Sequence, residues 1–222
     1  MLLAEELALV AIDPESGRHA LGTRDQLNAC LAGLLIGELV LDGAATAGRA
    51  RRTLVLTGAP VAGLLAAAAD VVSEKGPKIK AVMSHMSRGL AERTGSGTWD
   101  AVTGELVRRG VLVADDAGWR TGFEFIDVSA RTTVLDGLRD AAAGDAALDA
   151  RTAVVLSMTG PAQLLEVIAP ERRNRKHARR RIDHALDDTH LEPIGEVARQ
   201  LLAEAAAAVA AASVAATAVA VS

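Results

Sequence analysis

Arg24-Asp25-Gln26-Leu27-Asn28-Ala29-Cys30-Leu31-Ala32-Gly33-Leu34-Leu35-Ile36-Gly37-Glu38-Leu39-Val40-Leu41, followed by Asp42-Gly43, carries apolar residues on nearly every face and one acid, Glu38, deep inside the run. A helix of that kind is either a buried central helix or a membrane span. The stretch from Gln26 to Leu41 covers 16 residues, short of the ~20 that cross a bilayer. The core reading follows, with Gly43 as the terminating glycine. Glu38, once buried, requires a cation or backbone donors, and that need points to a structural ion pair rather than to catalysis.

Outward from this helix the chain reads as one mostly helical domain, residues 1–222, with one or two small β-hairpins. Leu2 to Ile12 is an apolar helix or strand, and Asp13-Pro14-Glu15-Ser16-Gly17 is a turn. Thr53 to Thr57 is the strand of a small hairpin; Pro60 to Glu74 and Lys78 to Arg93 return to helix. Thr98 is suited to cap a helix from Trp99 to Arg109 that Gly110 stops. Val111 to Val113 and Trp119 to Ile126 make a second hairpin. Helices are expected over Thr132–Ala143, Asp149–Ser157 and Pro161–Ile168, then a basic helix that starts after Pro170 and runs to about Leu186. A last helix from near Glu192 enters an Ala/Val tract too poor in large apolar side chains for a good membrane anchor.

Composition narrows the function. Half the 222 residues are apolar and the single cysteine, Cys30, excludes a disulfide scaffold. The opening residues carry acids and no basic region, unlike a signal peptide, so a cytoplasmic protein is expected. Arg outnumbers Lys 20 to 4, a bias associated with high-GC bacterial genomes. Net charge is −4, yet Arg172, Arg173, Arg175, Lys176, Arg179, Arg180 and Arg181 crowd into ten residues without an acid. An acidic body with one basic segment fits an anionic partner. Trp99, Trp119, Phe123 and Phe125 are the only aromatics, all around one helix and hairpin; Trp119 and Phe123 are candidates for a membrane or oligomer contact, against plain inner-face packing.

Two further constellations carry less. His184, Asp187, Asp188 and His190 read as a polar turn rather than a metal site, and neither a cofactor nor a metal is expected. No nucleophile elbow, zinc-protease motif or P-loop is present, so an enzyme is not expected.

Several blocks carry a family likeness. Leu3-Ala4-Glu5-Glu6, Glu38-Leu39-Val40-Leu41-Asp42-Gly43, Glu105 to Leu112 with its Gly110-Val111-Leu112, and Asp149-Ala150-Arg151 resemble, in order, the motifs of the Golgi phosphoprotein 3 family. The likeness extends over about residues 3 to 221. It implies a helical protein that binds phosphatidylinositol 4-phosphate at membranes, together with the tails of client proteins. In the family the headgroup pocket uses a Trp before the central helix, an Arg within it and two further Arg. Those positions here read Thr23, Ala32, Ser96 and Trp99, and neutral side chains cannot supply bidentate cationic donors. Arg24, Arg93 and Trp99 remain as headgroup candidates from neighbouring turns.

The expected function is peripheral binding of anionic phospholipid or phosphoinositide at the inner face of the membrane. Self-association into a homo-oligomer is a further expectation. Two alternatives stand beside lipid binding. One is a cytoplasmic protein-interaction scaffold whose lipid pocket is lost. The other is a winged-helix-like DNA-binding regulator, disfavoured because Asp100 and Glu105 would face nucleic acid phosphates.

Overall fold

The computed structural model describes residues 1–19, 24–48, 50, 52–90, 97–115, 122–187, 197–207 and 210. The expected central helix is α2, Arg24–Leu41, and every residue from Gln26 to Val40 is buried. Around it pack α1 (Leu3–Ala11), α3 (Leu64–Lys75), α4 (Ile79–Arg88), α5 (Thr98–Arg108) and α7 (Ala150–Thr159). A helix enclosed by five others needs no polar face, which explains its all-round apolar sequence. After α2 the chain turns at Gly43, whose φ of +70° lies in the left-handed region that a Cβ disfavours.

The apolar opening segment resolves as helix α1, its residues Leu3, Leu7 and Val10 fully or nearly fully enclosed. The Asp13 turn forms as expected. The Asp13 carboxylate accepts from Ser16 N at 2.7 Å, Ser16 Oγ at 2.9 Å and Glu15 N at 3.0 Å, bonds that hold its pKa below the usual carboxylate value, the Ser16 backbone contributing most. Gly17 ends this turn at φ +66°, and its carbonyl accepts from Phe123 N at 2.8 Å. A Cβ there would sit 2.6 Å from the Phe123 carbonyl oxygen, so only glycine permits the approach.

Both hairpins exist. β1 (Ala45–Ala47) pairs antiparallel with β2 (Leu54–Leu56), Thr46 opposite Val55; β3 (Leu112–Asp115) pairs with β4 (Gly122–Phe125), Leu112 opposite Phe125. The second hairpin follows α5 directly, its turn lying outside the described residues.

Several boundaries differ from expectation: α4 ends at Arg88, short of Arg93, and the helix expected from Thr132 begins earlier, at Ser129; three further differences have clear physical reasons. The third helix starts at Leu64 rather than Pro60, with Gly63 at φ +59° immediately before it. The span from Pro161 to Ile168 yields only the short α8, Leu165–Ile168, because the chain first closes tight turns through Gly160 and Gln163. Thr98 does not cap α5: Gly97 is the N-cap, and Thr98 Oγ1 instead donates to the Met86 carbonyl at 2.6 Å. The capping acceptor comes from α2, where Asn28 Oδ1 receives Trp99 N at 2.7 Å. Outside the inner helices, α6 (Ser129–Ala143) lies on α1, and α9 (Arg172–Asp187) lies on α6 and α7. Residues 197–207 form a further helix, α10.

Candidate anionic-surface site

The basic segment forms α9 because its small and apolar residues recur at helical spacing. Ala178, Ile182, Ala185 and Leu186 are buried, positions i, i+4, i+7 and i+8 of one stripe. The stripe docks the helix on α6 and α7 and turns the cations outward. Arg172, Arg173, Lys176, Arg179 and Arg180 are exposed. Among the described residues none of the five has a carboxylate partner.

Arg175 and Arg181, expected with these five as surface contacts, are used differently. Arg181 donates from Nε to the Ala141 carbonyl at 3.1 Å and from Nη2 to the Ala146 carbonyl at 2.7 Å. It thereby satisfies backbone acceptors at the end of α6 and just beyond it. Arg175 donates to the Pro170 carbonyl and to the Ala169 carbonyl at 3.4 Å, with Glu166 at 3.7 Å. Both guanidiniums fasten α9 to the body, so the available surface set is five rather than seven.

Among the described residues, two grooves stand out for their mix of charged and apolar walls. One, about 310 Å³, lies between Ala143 at the end of α6, Glu171 just before α9, and the α9 side chains Arg173, Asn174, His177 and Arg180. Asn174 and His177 were missed in the sequence, although the spacing of 173, 177 and 180 puts His177 on one line with two arginines. The other, about 340 Å³, lies between α2, α4 and α10, with Ala29 and Met83 in its lining and Asp25, Lys80, Arg88 and Glu204 among its charged groups.

Of the headgroup candidates Arg24, Arg93 and Trp99, the two that lie among the described residues are engaged with protein groups. Arg24 is half exposed and hydrogen-bonds Asp100, which neutralises it locally. Trp99 is 4% exposed and meets His19 and Phe123 edge-on, ring centroids 6.2 and 6.3 Å away. Ala32 is wholly enclosed within α2. Arg93, Thr23 and Ser96 lie outside the described residues, as do Trp119, Asp188 and His190. Phe123, a candidate for membrane or oligomer contact, is buried against Trp99 instead; alternation along β4 sends it inward to close the core above α5. Exposed aliphatics near that hairpin are Val113, Ile126 and Val128.

The motif acids and arginines build a different centre. Arg151 donates from Nη1 to Glu38 Oε1 at 2.6 Å and from Nη2 to Glu6 Oε1 at 3.0 Å, while Glu38 Oε2 accepts Leu3 N at 2.6 Å. Arg109 Nη1 donates to both Glu5 oxygens, at 2.7 and 2.9 Å. Desolvation works against the charge on Arg151, but its bonds to Glu38 and Glu6 outweigh it and raise its pKa. These carboxylates are fully engaged in joining α1, α2, α5 and α7. Asp149 caps α7 through Thr152 N at 2.9 Å, setting Arg151 in place.

Among the described residues no group of His, Cys, Asp and Glu could hold a metal ion, and no helix is long and apolar enough to cross a membrane. The family model for Golgi phosphoprotein 3 (GPP34) matches residues 3–212. No curated protein matches the chain.

Proposed function

This chain belongs to the Golgi phosphoprotein 3 family, and from that premise we propose that it binds anionic lipid headgroups peripherally, through the outer face of α9. The observation that carries the reading is the set of five exposed cations without carboxylate partners among the described residues, Arg172, Arg173, Lys176, Arg179 and Arg180. Each exposed Lys or Arg close to an anionic leaflet contributes about 1 kcal/mol. Five together give a reversible attachment of about 5 kcal/mol, which needs no inserted segment. The membrane-facing residues are then those five, and the protein sits at the inner face of the membrane.

Selectivity for phosphatidylinositol 4-phosphate at the family's pocket is expected to be weak, because Ala32 and the buried Trp99 stand at two of its positions. Vesicle co-sedimentation tests both statements. The chain should bind phosphatidylglycerol vesicles and not phosphatidylcholine vesicles, and Arg172→Glu with Lys176→Glu and Arg179→Glu should abolish binding. Unchanged binding of that triple variant would move the site away from α9.

A further inference from the structure

We propose that the groove between the C-terminal end of α6 and the first turns of α9 is a specific binding site for a phosphate monoester. The inference rests on the lipid-binding reading of α9 when the ester is a headgroup, and stands apart from it when the ester is a soluble compound. The groove holds about 310 Å³, and α9 supplies almost all its polar wall. Arg173, His177 and Arg180 recur at i, i+4 and i+7, so they lie along one line of the helix, and Ala143 of α6 borders the same groove. Arg172 and Arg179 lie about 100° round the helix from that line and do not line the groove. Ala143 contributes only a methyl group from the other side, which leaves the space open. The His177 ring is held at the wall, its Nε2 3.5 Å from the Gly144 carbonyl oxygen.

The chemistry of this set is that of an oxyanion receptor. Two guanidiniums offer planar forked donors that match phosphate oxygens in pairs, and Arg173 and Arg180 are both free of carboxylates among the described residues. The Asn174 amide adds neutral donors beside them. A monoester presents three terminal oxygens and close to two negative charges at neutral pH, enough to engage both forks. A diester presents two such oxygens and one charge. The groove therefore discriminates by phosphate type, which the evenly spread charge of the α9 face cannot do. Glu171 on the groove wall opposes the anion and sets the affinity below its maximum.

Calorimetry on the full chain with glycerol 3-phosphate and with dimethyl phosphate reads the soluble arm. Vesicles containing phosphatidic acid or phosphatidylglycerol, matched in surface charge, read the membrane arm. The monoester should be favoured about tenfold in each arm, the scale of one charge-assisted bidentate contact. Arg173→Gln with Arg180→Gln should erase that preference, whereas Arg172→Gln with Arg179→Gln should lower vesicle affinities together and preserve it. Glu171→Gln should tighten monoester binding more than Asp183→Asn, which makes the same charge change farther along, within α9. All of these side chains are exposed, and thermal melts verify the fold of each variant.

No monoester preference in either arm, or equal loss of it in the two arginine pairs, overturns the site while vesicle binding continues to support the α9 membrane face. Glycerol 3-phosphate bound through Arg173 and Arg180, with no vesicle binding, upholds the site and overturns the membrane reading. Binding in neither arm overturns both.

Discussion

Removing the Arg151 guanidinium would leave Glu38, 3% exposed, with the Leu3 amide as its one remaining partner among the described residues. Breaking a buried ion pair from one side costs about 3–5 kcal/mol because the remaining charge is stranded in a poor solvent. Arg151→Met is therefore expected to destabilise by about 3 kcal/mol in urea unfolding, near the lower end of that range since Arg151 is partly exposed. Adding Glu38→Gln should recover part of the loss, because an amide strands no charge. Fully additive losses would show that the two do not act as a pair. Cys30 gives a second test at this scale. Burial pushes its thiol from 9.0 up to about 12, so it stays a thiol in the folded chain and should react with thiol reagents only through unfolding. Its raised folded pKa contributes stability that is fully present below pH 9 and declines as pH rises from there. Rapid labelling of the native protein at neutral pH would contradict this.

At the scale of elements, what the sequence makes legible depends on whether a signal is local. The bounds of α2 and the burial of its faces can be read directly, because apolar content and the terminating Asp42-Gly43 are properties of the segment itself. The docking stripe of α9 is equally visible as Ala178, Ile182, Ala185 and Leu186. Caps supplied from elsewhere in the chain leave no local trace: nothing near Gly97 announces that Asn28, on another helix, will receive the Trp99 amide. Asn28→Ala should cost about 1–3 kcal/mol by leaving that buried donor unpaired, and Asn28→Asp, which keeps the acceptor, should cost less. The division of labour within the basic run is hidden for the same reason. Arg180 and Arg181 are neighbours in sequence, yet one faces solvent and the other holds two carbonyls. Arg181→Glu should lower the melting temperature, while Arg180→Glu should weaken lipid binding and leave melting nearly unchanged. Equal melting losses would mean that both arginines are structural.

For the whole molecule, the residues that carry the family likeness and those proposed to meet a membrane occupy different places. Glu5, Glu6, Glu38, Arg109 and Arg151 tie inner helices together, and the cations of α9 stand on the outermost layer. The likeness could thus be read from sequence while the ligand could not: interior motifs report the fold, and the surface that binds is free to differ. Stability and binding should accordingly separate. Trp99 joins α5, the Asp13 turn region and β4 through His19 and Phe123, so Trp99→Ala should cost about 3–5 kcal/mol, the range for truncating a large buried aromatic. Under conditions where that variant remains folded by circular dichroism, its vesicle affinity should match the unaltered chain. The Arg172, Lys176 and Arg179 reversals should do the opposite, removing vesicle binding with little change in unfolding. Salt completes the separation. Exposed charges are screened beyond ~10 Å at 0.1 M ionic strength, so vesicle binding should fall steeply from low to moderate salt while the urea midpoint barely moves. Salt-independent binding, or a Trp99→Ala variant that folds normally and no longer binds, would place the lipid contact at the α5 and hairpin end of the molecule instead of on α9.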